Sequence, residues 1–217
     1  MKINKIFVVI CIFLVVGGCN QKQISNLKNA HSILEISTRK ENDLKKIQAE
    51  LIVLIDQENA TYTNILEKGK YDLRNINVEL DKAIKTNNIM LQKIESMVKI
   101  MNSSRAEWVN LNKVVNKSKN KQERELLVNI ISVLEERERI FFELVNEQKL
   151  IIESNIELYN SFKKTKVDFR VVESEITSLN KKMDVLDTLN TKYIIRTKDL
   201  NNLKQIVYEI IVFDNKK

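Results

Sequence analysis

Residues 121–163 read KQERELLVNIISVLEERERIFFELVNEQKLIIESNIELYNSFK. Apolar side chains recur at Leu127, Ile130, Leu134, Phe141, Leu144, Ile151, Leu158 and Phe162, in steps of three, four and seven that keep them on one face of an α-helix. Charged and amide residues fill the positions between, so the segment offers one apolar stripe and needs a partner to bury it. Three other segments repeat the pattern. Leu44, Ile47, Leu51 and Leu54 form a seam within 23–66. Leu73, Ile76, Leu80, Ala83, Leu91, Ile94, Val98, Met101 and Trp108 form one within 71–116. Within 167–213 the most regular seam runs through Val172, Ile176, Leu179, Met183, Leu186, Tyr193 and Leu200.

What lies between these segments excludes other folds. The 217 residues contain no proline and three glycines, and Gly17 and Gly18 fall in an N-terminal signal, which leaves Gly69. Sheets, hairpins and phosphate-cradling loops need such residues at their turns, so α/β and all-β folds are excluded. Asn116–Lys121 is a polar loop, and Gly69, flanked by Lys68 and Lys70, suits a helix C-terminus. The third break, near Lys163–Lys166, carries only a weak start signal in Thr165 and Asp168. If all three breaks hold, the chain makes four rods of roughly 65–70 Å at 1.5 Å per residue. Rods of equal length joined by short loops fold back on one another. The expected fold is all-α: an elongated antiparallel bundle or coiled coil of three to four long helices, forming a single domain over residues 19–217.

The N-terminus carries a different signal. Lys2 and Lys5 precede the apolar run Ile6–Val16, which has the length of a secretory h-region and falls short of the ~20 apolar residues a membrane span needs. Val16-Gly17-Gly18-Cys19 follows and resembles the bacterial lipobox, so cleavage is expected between Gly18 and Cys19, with a diacylglyceryl group on the Cys19 thiol. Residues 1–18 are then a lipoprotein signal peptide, and Cys19 is the one thiol of the mature chain, since Cys11 leaves with the signal. Two acyl chains give stable anchoring where one gives only marginal binding. The expected location is the outer face of the cell membrane.

Without Lys2 and Lys5 the mature chain has 34 basic and 29 acidic side chains, a net charge of about +5. This excess is too dispersed for a nucleic-acid stripe, and the export signal also argues against nucleic acid. It is compatible with anionic lipid head groups or teichoic-type polymers.

The stretches Ile131-Ser-Val-Leu134-Glu-Glu-Arg137 with Phe141 and Leu144, Glu157-Leu158-Tyr159-Asn160, Ile176-Thr-Ser-Leu179-Asn180 and Leu189-Asn190-Thr-Lys192-Tyr193 resemble the YkyA-like family of cell-wall-binding lipoproteins of Gram-positive bacteria. Tyr62-Thr-Asn-Ile65-Leu66-Glu67 ahead of Gly69 resembles that family's stretch between its first helices. The resemblance implies a lipid-anchored, extracytoplasmic, helical protein, and the family's name implies wall binding, with peptidoglycan or a teichoic-type polymer as the partner. It supplies no defined binding residues.

No catalytic constellation emerges, and neither a cofactor nor a metal is expected. His31 is the one histidine and belongs to no zinc spacing. Ser103-Ser104 lacks a nucleophile-elbow context and an activating base. Glu135-Glu136-Arg137-Glu138-Arg139 reads as a solvated ion-pair face, while Trp108, Tyr159 and Tyr193 read as core. In an up-down bundle Lys68, Lys70, Lys163, Lys164 and Lys166 gather at the end far from Cys19, as candidate contacts for an anionic polymer. Lys22, Lys113, Lys117, Lys119, Lys121, Lys216 and Lys217 fall at the near end. Ile206–Phe213, apolar almost all round, is expected to close the core, with insertion into the lipid interface as the alternative. The overall expectation is a non-catalytic wall-binding or spacer module. The alternative is an adaptor that docks another envelope protein through its helical faces.

Overall fold

A computed structural model describes residues 20–69, 76–163 and 169–214. Its elements are α1 (Asn20–Gly69), α2 (Asn77–Trp108), a short α3 (Leu111–Lys117), α4 (Lys121–Phe162) and α5 (Phe169–Asp214). There is no strand among the described residues. The four long helices form an elongated all-α bundle, with α1 of 50 residues spanning about 75 Å and α4 of 42 about 63 Å. α1 and α4 run one way, and α2 and α5 return.

Three apolar clusters stack along the rod. At the near end, Leu27, Ala30 and Leu34 of α1 meet Trp108, Leu111, Val114, Leu127, Ile130 and Val207. Leu44, Leu51, Met97, Met101, Phe141 and Leu144 fill the middle with Leu189. Ile65, Ile76, Leu80, Ala83 and Tyr159 close the far end.

The junctions show how the chain reverses without proline. Asn120 takes an extended conformation, and its side chain accepts a hydrogen bond from the Glu123 backbone N–H at 3.1 Å, capping α4. α1 ends at Gly69, where the sequence places a helix C-terminus. The segment expected to be one helix over 71–116 is interrupted at Val109–Asn110. There the backbone tightens to i→i+3 bonds, Asn110 N–H to Glu107 O and Lys113 N–H to Asn110 O. The Asn110 amide also donates to the carbonyls of Ala106 and Glu107, an alternative partner for carbonyls that a continuing helix would bond.

α5 corrects the sequence reading most. Its seam is the most regular in the chain, yet only Val172, Leu189, Leu200 and Val207 are buried. Ile176 is 37% exposed and Met183 52%. α5 packs closely on α4 and only sparsely on α1, so those seam positions face a gap. Ile206–Phe213 closes the core on one side alone: Val207 is buried and Ile210 and Ile211 pack against the near cluster, while Ile206, Tyr208 and Phe213 are exposed.

Candidate functional site

The charged run at 135–139 is only in part the solvated face the sequence suggests: Glu135 and Arg139 are exposed, but Arg137 and Glu138 are not. On α4 the core-facing positions pass from Leu134 through Arg137 and Glu138 to Phe141, and both charged side chains are buried. Arg137 grips Glu41 of α1 with both guanidinium ends, at 3.2 and 2.7 Å. It donates to Thr197 at 3.0 Å and to the Tyr193 hydroxyl at 2.6 Å, both on α5, and lies 4.8 Å from the centre of the Tyr193 ring. Glu41 also accepts from Ser104 of α2 at 2.7 Å, and Ser104 shares a 2.7 Å hydrogen bond with Ser37. One polar layer thus ties all four long helices together. Burial works against the Arg137 charge, but the hydrogen bonds to Glu41 and the electrostatic attraction of Tyr193 and Glu41 together outweigh it and hold the pKa above the usual arginine value. The Tyr193 hydroxyl is pushed up to about 12, chiefly by burial, with Arg137 opposing. Such a network fixes helix register, because slipping one helix by a turn leaves buried charges unpaired. Ser104 is therefore occupied in structure.

Trp108 and Tyr159 are core residues, as expected. Tyr159 donates to the buried carboxylate of Glu58, and burial first, then that bond, raises its pKa. His31 is half-buried, its ring 5.9 Å from that of Tyr208. Among the described residues no three His, Cys, Asp or Glu side chains converge as a metal site.

Of the far-end lysines, Lys68 and Lys163 are described. The rod brings both beside the first turns of α2, where Lys68 pairs with Glu79 and Lys163 with Asp81. Lys70, Lys164 and Lys166 lie outside the described residues, as do Gly18, Cys19, Lys216 and Lys217; the Lys22 side chain is likewise not described. Lys113, Lys117, Lys119 and Lys121 are exposed at the near end, in and around the turn from α3 to α4.

Helix packing also leaves concave features that periodicity does not signal. Between α1, α4 and α5 runs an apolar groove of about 760 Å³, floored by Leu51, Phe141 and Leu144 and edged by Ile52, Ile55, Met183 and Ile194. On the opposite flank, α2 and α4 leave two shallow cavities of about 440 and 410 Å³, with Phe142 lining both.

With this rod in view, residues 25–210 match the sequence profile of YkyA, described as "Putative cell-wall binding lipoprotein". The chain belongs to the YkyA family. No curated protein matches it. It is also similar to a conserved protein of unknown function from Staphylococcus aureus, whose crystal structure was determined at 1.6 Å. The TM-score is 0.75 at 13% identity, over 90% of this chain and 98% of that one. That likeness bears on the fold alone. The description of the YkyA family associates the chain with lipoproteins and with the cell wall, and no helix among the described residues is long and apolar enough to cross a membrane.

Proposed function

We propose that this YkyA-family chain is a non-catalytic lipoprotein, anchored by a diacylglyceryl group on Cys19 at the outer face of the cell membrane, whose rod reaches into the wall and binds it. The observation that carries this is the family match over residues 25–210, joined to a rod about 75 Å long that begins at Asn20, the residue after Cys19. Cleavage between Gly18 and Cys19 puts the lipid at the near end, beside the exposed lysines of the α3–α4 turn, which face anionic head groups. Lys68 and Lys163 face anionic wall polymer at the far end, with Lys70, Lys164 and Lys166 as further contacts proposed from the sequence alone. The pair Lys163–Asp81 is solvent-exposed, and such pairs contribute little, whereas in the pair Lys68–Glu79 the lysine is half exposed and the carboxylate largely covered.

Sedimentation of the chain with purified walls, with and without their teichoic acids, tests this. Retention above that of an unrelated protein of equal charge supports it, and equal retention contradicts it.

The groove between α1, α4 and α5 favours a second reading, an adaptor that docks another envelope protein. Its exposed Ile52, Ile55, Met183 and Ile194 suit the apolar face of a helix. Crosslinking from Met183 in intact cells separates the two: protein adducts support the adaptor, and glycan adducts support wall binding.

A further inference from the structure

The outer face between α2 and α4 differs in chemistry from the rest of the rod. One cavity, of about 440 Å³, is lined by Arg105, Trp108, Asn112, Glu135, Glu138 and Arg139. The next, of about 410 Å³, is lined by Ile94, Glu95, Val98, Lys99, Asn146 and Lys149. Phe142 lines both and is only partly buried, so the two form one track with an aromatic ring at its middle. From Glu135 to Lys149 the track follows α4 for about 21 Å, at 1.5 Å per residue. Each cavity lies within the roughly 300–1,000 Å³ range of ligand sites.

Three observations mark this track as a binding surface. The first is Glu138, which is 7% exposed and whose Oε1 accepts no hydrogen bond. Among the described residues its ionic partner is Arg105 at 3.4 Å, a side chain that is itself more than half exposed. A buried carboxylate oxygen without a hydrogen bond leaves room for a further donor, and a ligand hydroxyl in the first cavity would supply one. The second is the tightened backbone at Val109–Asn110, which places Trp108, Val109 and Asn112 around the first cavity. The third is the balance of charge. Lys99, Arg105, Arg139 and Lys149 are interspersed with Glu95, Glu135 and Glu138.

We infer that the α2–α4 track binds an uncharged, polyhydroxylated wall glycan, of the N-acetylated amino-sugar class, lying lengthwise across Phe142. Such a chain donates hydroxyl protons to Glu135 and Glu138, accepts from Arg105, Arg139 and the Asn112 amide, and lays the apolar face of a sugar ring on Phe142. A polyphosphate of the teichoic kind would bring its charge against three carboxylates and lose much of what the cations gain. This inference rests on the wall-binding reading above and names the polymer and the face that meets it.

Trp108 is the chain's one tryptophan and lines the track, so its fluorescence reports the site directly. The full-length chain in mild detergent is titrated with a β-1,4-linked N-acetylglucosamine tetramer and, separately, with polyglycerol phosphate, beside the double variant Glu135→Gln, Arg139→Gln. Both substituted residues are exposed, and circular dichroism checks that the variant stays folded. The expected result is a saturable emission change with the tetramer and at least a tenfold weaker affinity in the variant. A flat wild-type titration, an equal affinity in the variant, or a response to polyglycerol phosphate in place of the tetramer overturns the inference. If the tetramer fails while walls still retain the chain, this site falls and wall binding stands; if walls also fail, both fall.

Discussion

Replacing Arg137 by Ala is expected to cost about 3–5 kcal/mol, because it strands Glu41 in the interior without its partner. Urea denaturation checks this, and the double variant Glu41→Leu, Arg137→Met is expected to recover most of the loss, since neither charge of the pair then remains. Glu123 makes the opposite case. It is buried at the near end, and burial raises its carboxyl pKa, with Ser118 and Asn26 only partly opposing. A raised acid holds its proton more tightly folded than unfolded, so its contribution is intact below the unfolded value of 4.5 and is lost as pH rises through the folded pKa. Glu123→Gln is therefore expected to raise the melting temperature at pH 7–8 and to leave it unchanged near pH 4. The hydrophobic seams made Trp108 and Tyr159 legible as core from spacing alone. Arg137 was not legible, because its burial depends on Glu41, Ser104, Tyr193 and Thr197 converging from three other helices, and periodicity within α4 carries no sign of them.

At the scale of elements, the four long helices follow from the apolar spacing, and α4 begins and ends within a residue of its expected limits. Its start rests on one side chain. Asn120→Ala is expected to cost about 1 kcal/mol through loss of the cap to Glu123, measured by thermal denaturation. The break at Val109–Asn110 escaped the sequence reading because no glycine or proline marks it and the apolar spacing passes straight through. α5 escaped it for another reason: regular spacing shows which face is apolar, not whether a neighbour covers it. Near its C-terminal end Lys204 ties α5 to α1 through Glu35 at 3.0 Å, while further along Ile176 and Met183 face the gap. Amide hydrogen exchange is expected to be faster over residues 174–188 than over the facing part of α4, because local opening there exposes little that was buried. Equal protection would show that α5 is held by contacts other than those described.

For the whole molecule, the sequence makes the rod and its up-and-down course legible, because each depends on local pattern or on helix length. The concave faces are not legible, since they depend on how closely neighbouring helices pack, α1 lying only sparsely against α5. In the proposed function a lipid holds the near end and the rod contacts the wall, and one substitution separates these two attachments. Cys19→Ala is introduced into the chain expressed in Gram-positive cells, and the membrane, wall and medium fractions are assayed. The variant is expected to leave the membrane and to be recovered with the wall, held there by the rod alone. Retention in the membrane would contradict the anchor, and complete release into the medium would contradict wall binding.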